Sequence, residues 1–367
     1  MANKWNRDCR SFKGVYSCDI MTGEDYRDCS ECGFYDKKGK KILILKLGAM
    51  GDVVRGTTIL TSLKEKYGQD SHITWVIEES SKEILYNNPY VDRILPYNNE
   101  TALILQQEKF DVLLSLEVAP PSTLIANLID SKEKYGFYFD KDGHPSAYNK
   151  GAAGYLETVF SNKLSKNCKK SHQEMLFNNV ELEYHKQDYV LSLEDYEKDY
   201  ASKIIHDKKR KLAGINVGSG GRWVSKMWHP DLIIEFIKKI HKDYDVILLG
   251  GKREEDLLKK IEDSIKKKGI STLKNNPGNS VREFMAVIDA CDLIITGDTM
   301  ALHLAIGLKK KTIALFFCTP PWQIEDYPFL KKIISPLLDK YYMDDRYIED
   351  LVASISTDEV LGAIKLL

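Results

Sequence analysis

From residue 41 the chain alternates short apolar runs with amphipathic stretches, and it does so twice. That double alternation constrains the fold more than any other feature. The first block predicts strands at 41–47, 72–79, 92–97, 111–117 and 134–139, with helices at 53–68 and 122–129. Residues 140–185 are less regular, apart from a helix at 173–184. After an irregular stretch near 186–206 the pattern restarts. Strands are expected at 211–218, 245–251, 292–298 and 311–317. Helices are expected at 230–244, 254–269, 280–291, 300–308 and 356–367. Near-continuous apolar strands belong to parallel sheets covered on both faces. The reading is therefore α/β, with two Rossmann-like domains facing each other across a cleft. Their boundaries are set at 40–205 and 206–367, behind a polar Cys-rich appendage at 1–39. Ligands of such sheets sit at the carboxyl ends of the strands.

Composition excludes several functions. Lys plus Arg number 53 and Asp plus Glu 54 in 367 residues, so no basic field invites nucleic acid. No apolar run approaches the roughly 20 residues that span a bilayer, and residues 1–14 lack a signal-like apolar core. A cytoplasmic protein is expected. Peripheral contact with an inner membrane and oligomerisation remain open.

Four of the seven cysteines, Cys9, Cys18, Cys29 and Cys32, crowd into the first 32 residues. In a reducing compartment such crowding points to metal rather than disulfides. Four thiolates suit tetrahedral zinc or iron in a closed, structural site.

Three segments carry candidate chemistry. "KLGAMGD" (46–52) puts Gly51 and Asp52 where the first strand meets a helix. Asp52 is either a helix N-cap or a general base. The segment lacks the Gly-x-Gly-x-x-Gly spacing of a dinucleotide site. "NVGSGGRWVSKMWHP" (216–230) follows a strand with a glycine loop. Ser219, Gly220, Arg222 and Lys226 there suit a phosphate. "GDTMALHLA" (297–305) opens a helix after a strand. Asp298, Thr299 and the N–H groups of Met300, Ala301 and Leu302 could hold a diphosphate. His303, one turn in, reads equally as a core residue. "DYD" (243–245) precedes its strand, at the sheet edge away from the cleft, so it is not read as a metal-binding pair.

These segments, in this order, resemble glycosyltransferase family 9, the lipopolysaccharide heptosyltransferases, over about residues 41–367. The resemblance implies a GT-B fold and inverting transfer from a nucleotide sugar, typically ADP-heptose, without a catalytic metal. It implies that Asp52 is the base and that Lys226 meets donor phosphate. Asp298, Thr299 and His303 would lie in the donor site. An acidic residue, Glu255 or Glu254, would hold the ribose. Met300 departs from the family's usual glycine. The acceptor hydroxyl could belong to a lipopolysaccharide core, another glycan, a protein or a small molecule. An NAD-dependent oxidoreductase and a non-catalytic sugar-nucleotide binder are the rival readings.

Overall fold

The computed structural model describes residues 4–14, 16, 18, 20–21 and 28–367, so parts of the expected 1–39 appendage lie outside the described residues. The first sheet comprises β1 (Lys41–Leu45), β2 (His72–Ile77), β3 (Arg93–Pro96), β4 (Lys109–Ser115), β5 (Asp130–Phe139) and β6 (Pro145–Ala147). Its order is β3-β2-β1-β4-β5-β6. The pairs of β1 with β2 and with β4 are parallel; β6 joins antiparallel, a departure from the all-parallel expectation. Ile42, Leu43, Ile44 and Leu45 are fully buried, each contributing about 1.5–3 kcal/mol of apolar transfer free energy. Burial on both faces explains why β1 reads as an unbroken apolar run.

Around this sheet lie α1 (Met50–Gly56), α2 (Ile59–Tyr67), α3 (Asn99–Gln107), α4 (Pro120–Leu128), α5 (Lys150–Phe160), α6 (Asn162–Asn167) and α7 (His172–Asn179). The helix expected over 53–68 is thus two helices. The Thr57 hydroxyl donates to the Val54 carbonyl at 2.7 Å, and that of Thr58 to the Arg55 carbonyl at 2.8 Å. Such hydroxyls compete with the backbone ladder and break it locally.

The stretch near 186–206, expected to be irregular, contains α8 (Asp195–Ile204). A capping box between Glu194 and Glu197 starts it. The second sheet follows: β7 (Lys211–Asn216), β8 (Tyr244–Leu249), β9 (Leu293–Gly297), β10 (Lys311–Phe316) and β11 (Leu330–Ile334). Its order is β11-β10-β9-β7-β8. Its helices are α9 (Pro230–Ile240), α10 (Glu255–Lys266), α11 (Val281–Ala290), α12 (Met300–Gly307), α13 (Glu349–Val352) and α14 (Thr357–Ile364).

The halves are joined by apolar packing and by one buried ion pair. Val53 and Val54 of α1 share a core cluster with Ala301 and Leu302 of α12. Arg282 on α11 grips Glu197 on α8 through two bonds of 2.6 Å and donates to the Tyr86 carbonyl at 3.1 Å. Glu83 accepts the Val281 N–H at 3.0 Å.

The described part of the N-terminal segment docks on the first sheet through Arg10. Its guanidinium meets Asp92 and, at 2.7 Å, the Asp70 carbonyl. Both positions lie at the amino ends of β2 and β3. The segment therefore sits at the opposite edge from the strand ends where ligands are expected. No helix of the described residues is long and apolar enough to cross a membrane.

Candidate active site

Strand order reverses between β1 and β4 in the first sheet and between β7 and β9 in the second. At such switch points the carboxyl ends of neighbouring strands part and open a crevice. The residues singled out from the sequence gather at these two places.

On the first side, β1 runs into Lys46 and then α1, and β4 into Glu117. Lys46 Nζ donates to Glu117 at 2.6 Å and stands 3.6 Å from the Asp52 carboxylate. Glu117 also accepts the Gly48 N–H at 3.1 Å. The Trp75 indole, fully buried, donates to the Lys46 carbonyl at 3.0 Å and braces this corner. Asp52 is the third residue of α1, and the N-cap position belongs to Ala49, without a side-chain cap. Its carboxylate turns instead to the Arg55 guanidinium one turn on. Burial pushes the Asp52 pKa up, but Arg55 and Lys46 together hold it well below the ordinary carboxylate range. The acid is thus ionised in the free site. Burial alone does not raise its basicity there, because the neighbouring cations outweigh it.

Arg55 escaped the sequence reading. It faces Asp52 and, across the cleft, Asp298; both raise its pKa against the effect of burial. The signal was available: a cation at i+3 from Asp52 within an otherwise apolar helix.

On the second side, Lys226 ends a short 3-10 turn (Val224–Lys226) and donates to Asp298 at 2.9 Å. Gly297 makes this approach possible. A Cβ there would lie 1.8 Å from the Lys226 carbonyl oxygen. The Lys226 and Arg55 charges outweigh burial and hold Asp298 far down in its ionised form. His303 Nε2 stands 3.7 Å from Asp298. Burial and the Arg55 charge hold that imidazole neutral, its pKa lowered to about 3. The side chain of His303 is buried, as its core reading required, yet it also faces the site.

Thr299 is the N-cap residue of α12. Its hydroxyl lies 3.2 Å from Asn216 Nδ2 and 3.1 Å from the Thr296 hydroxyl. Of the three N–H groups expected to be open, that of Leu302 is taken by the Thr299 carbonyl at 3.1 Å. The structure so corrects the set to Met300 and Ala301. Among the described residues their N–H groups meet no backbone acceptor. An anion placed there would meet two N–H dipoles, the positive end of α12 and the Lys226 ammonium.

The glycine loop closes the same side. Gly220 and Gly221 have φ of 75° and 94°, which side-chain-bearing residues adopt at a cost. Arg253 donates to the Gly220 carbonyl at 3.0 Å. Ser219 is half-buried beside them. Arg222, expected at the phosphate, is exposed, its guanidinium 5.4 Å from the Trp223 ring centre. Glu255 is exposed at the start of α10, whereas Glu254 accepts the Gly251 N–H at 3.0 Å and packs on Gly218. The acidic group at the loop is therefore Glu254 rather than Glu255.

The two sides meet directly. A Cβ on Gly51 would stand 2.5 Å from the His303 ring, so α1 and α12 touch at the glycine next to Asp52. Asp243 and Asp245 lie elsewhere, as expected. The Asp245 carboxylate is occupied by the Arg210 N–H and guanidinium at the amino edge of the second sheet.

Cys9, Cys18, Cys29 and Cys32 all line one cavity of about 530 Å³ in the N-terminal segment. Among the described residues, no three His, Cys, Asp or Glu side chains are gathered as metal ligands.

Two open α/β sheets, each with its switch point at this site, are the architecture of the GT-B fold. The chain matches the family described as glycosyltransferase family 9 (heptosyltransferase) over residues 102–351, and it belongs to that family. It is 25% identical over 346 residues to a lipopolysaccharide heptosyltransferase 1 of Campylobacter coli, covering 89% of this chain and 97% of that protein. A glycosyltransferase family 9 structure from Veillonella parvula superposes with a TM-score of 0.72 at 18% identity, covering 90% of this chain and 97% of that one. An ADP-heptose heptosyltransferase II of E. coli gives 0.65 at 17% identity, over 89% and 97%.

Proposed function

We propose that this enzyme transfers a heptose from ADP-heptose to a hydroxyl of a lipopolysaccharide core, with inversion and without a catalytic metal ion. Residues 40–205 carry the acceptor and 206–367 the donor. The relatives described as lipopolysaccharide heptosyltransferases support the substrates. The observation that carries the chemistry is the meeting of Asp52 with the Lys226–Asp298–Thr299 group across the Gly51–His303 contact.

The acceptor oxygen attacks the anomeric carbon as the bond from that carbon to the diphosphate oxygen breaks. The bonding pair leaves with ADP, and the hydroxyl proton passes to Asp52. Lys226 and the N–H groups of Met300 and Ala301 receive the charge that builds on the diphosphate. Asp298 aims the Lys226 ammonium. Neutral His303 offers a ring nitrogen without adding charge. Glu254, beside the glycine loop, takes the ribose. The direct test supplies ADP-heptose and a core acceptor, follows ADP release and reads the new linkage by NMR. Transfer with inversion is expected; retention, or ADP release without a glycoside, overturns the reading.

For the N-terminal segment we propose a structural zinc or iron held by Cys9, Cys18, Cys29 and Cys32. The donor set fits: four thiols, two of them in a Cys-x-x-Cys turn, face one cavity. The ion would draw them together and tie the segment into a knot. Metal analysis of anaerobically prepared protein should find about one ion per chain, lost in Cys29→Ser. Metal-free wild type ends the idea.

A further inference from the structure

A second cavity lies on the acceptor side, directly against Asp52. Its volume is about 10 Å³, and its polar wall is Lys46, Asp52, Tyr155, His172 and Asn179. That is room for one water-sized group, which is also the size of a hydroxyl. Asp52 and Lys46 already satisfy each other and their other partners, Arg55 and Glu117.

His172 differs from its neighbours. It is the first residue of α7, whose N-cap Ser171 accepts the Glu174 N–H at 3.1 Å, so the helix fixes where the ring stands. Its Nδ1 is buried and meets no hydrogen-bond partner among the described residues. Burial, with the charges of Arg55 and Lys46, keeps the imidazole neutral although Asp52 pulls the other way. A buried ring nitrogen without a partner is left unsatisfied at a cost to the fold, and such an atom calls for an explanation. The charge balance of the corner also needs nothing more from His172, since the cations Lys46 and Arg55 are already matched by Glu117 and Asp52.

We propose that His172 is an acceptor-binding residue. Its neutral imidazole hydrogen-bonds the acceptor sugar as the attacking hydroxyl fills the small cavity, and turns that hydroxyl onto Asp52. A neutral ring suits this task. It can hold a polyol by a hydrogen bond without drawing electron density from the nucleophile, as an imidazolium would. No proton moves to His172; the proton passes to Asp52. The inference rests on the transfer reaction proposed above and assigns that site's acceptor contact.

The test compares wild type, His172→Ala and His172→Asn in three measurements. They are acceptor steady-state kinetics, ADP-heptose affinity, and the slow hydrolysis of ADP-heptose without acceptor. His172→Ala should lower kcat/KM for acceptor roughly 10- to 100-fold, chiefly through KM. ADP-heptose affinity should stay unchanged, and hydrolysis, in which water takes the place of the hydroxyl, should fall less than transfer. His172→Asn, whose amide reaches the place of Nδ1, should recover part of the loss. Unchanged acceptor kinetics in His172→Ala overturn the inference, as does an equal loss in donor affinity and hydrolysis, which marks a structural role. If wild type itself transfers no sugar, the transfer reading falls first and takes this one with it.

Discussion

Asp52 and Asp298 face each other from opposite halves, and their surroundings are built from the same parts. Each is a carboxylate just past a parallel strand, with a cation and a neutral histidine beside it: Arg55 and His172 for one, Lys226 and His303 for the other. Both are held below the ordinary carboxylate range. The difference lies in what adjoins them. Asp298 is locked to Lys226 and backed by the Asn216–Thr296–Thr299 hydroxyl network, a preformed cradle. Asp52 borders an open space and keeps a third of its side chain exposed. Similar electrostatics thus surround a carboxylate fixed on a cation and one left accessible, which is the division of labour the proposed transfer requires.

Substitutions can break that contrast. Asp52→Asn should cut turnover by about 10² or more while leaving ADP-heptose affinity intact; stopped assays with a calorimetric titration of donor check both, and near-normal turnover would remove the base. The Arg282–Glu197 pair, at 7% and 2% side-chain exposure, maintains the relation of the halves. Arg282→Ala strands a buried carboxylate and should cost about 3–5 kcal/mol in a urea melt. Lys226→Ala should weaken donor binding and rate together, by roughly tenfold or more. Should only KM change, the lysine serves binding alone and not the departing charge.

Acidity gives the smallest effect and the sharpest sign. His303 is neutral in the folded protein down to about pH 3, whereas an unfolded histidine takes a proton near 6.5. Its depressed folded pKa means that the unfolded state binds more protons in this window. Stability should therefore fall as pH drops from about 6.5 toward 3, and His303→Gln should flatten that slope in thermal melts. The depressed carboxylates of Asp52 and Asp298 add a loss in the same direction, beginning only near pH 4. Wild-type melting temperatures that hold constant between pH 6.5 and 4.5 would show that His303 is not buried neutral.

The alternation of strands and helices was legible because the central strands β1, β2, β7, β9 and β10 are buried along almost their whole length. What stayed hidden was local chemistry. α8, DYEKDYASKI, carries few apolar residues; its order comes from a capping box and from a partner, Arg282, 85 residues away. β11, LKKII, places two lysines on an edge strand. α5 begins with two glycines in five residues. At the site, Asp52, Lys226, Asp298 and Thr299 stood out because each follows a strand at a turn. Arg55 and His172 did not, since their meaning lies in neighbours from other segments. Glu254 was displaced from Glu255 by a turn whose register no pattern reveals.

The contact between Gly51 and the His303 ring fixes how closely α1 and α12 approach. The point is filled by the buried His303 ring, which leaves no room for a Cβ at position 51. Alanine at position 51 would act as a shim, holding α1 and α12 slightly apart. Variation in sugar preference is then free to arise around the pocket walls, while the spacing between the two reacting partners stays constant.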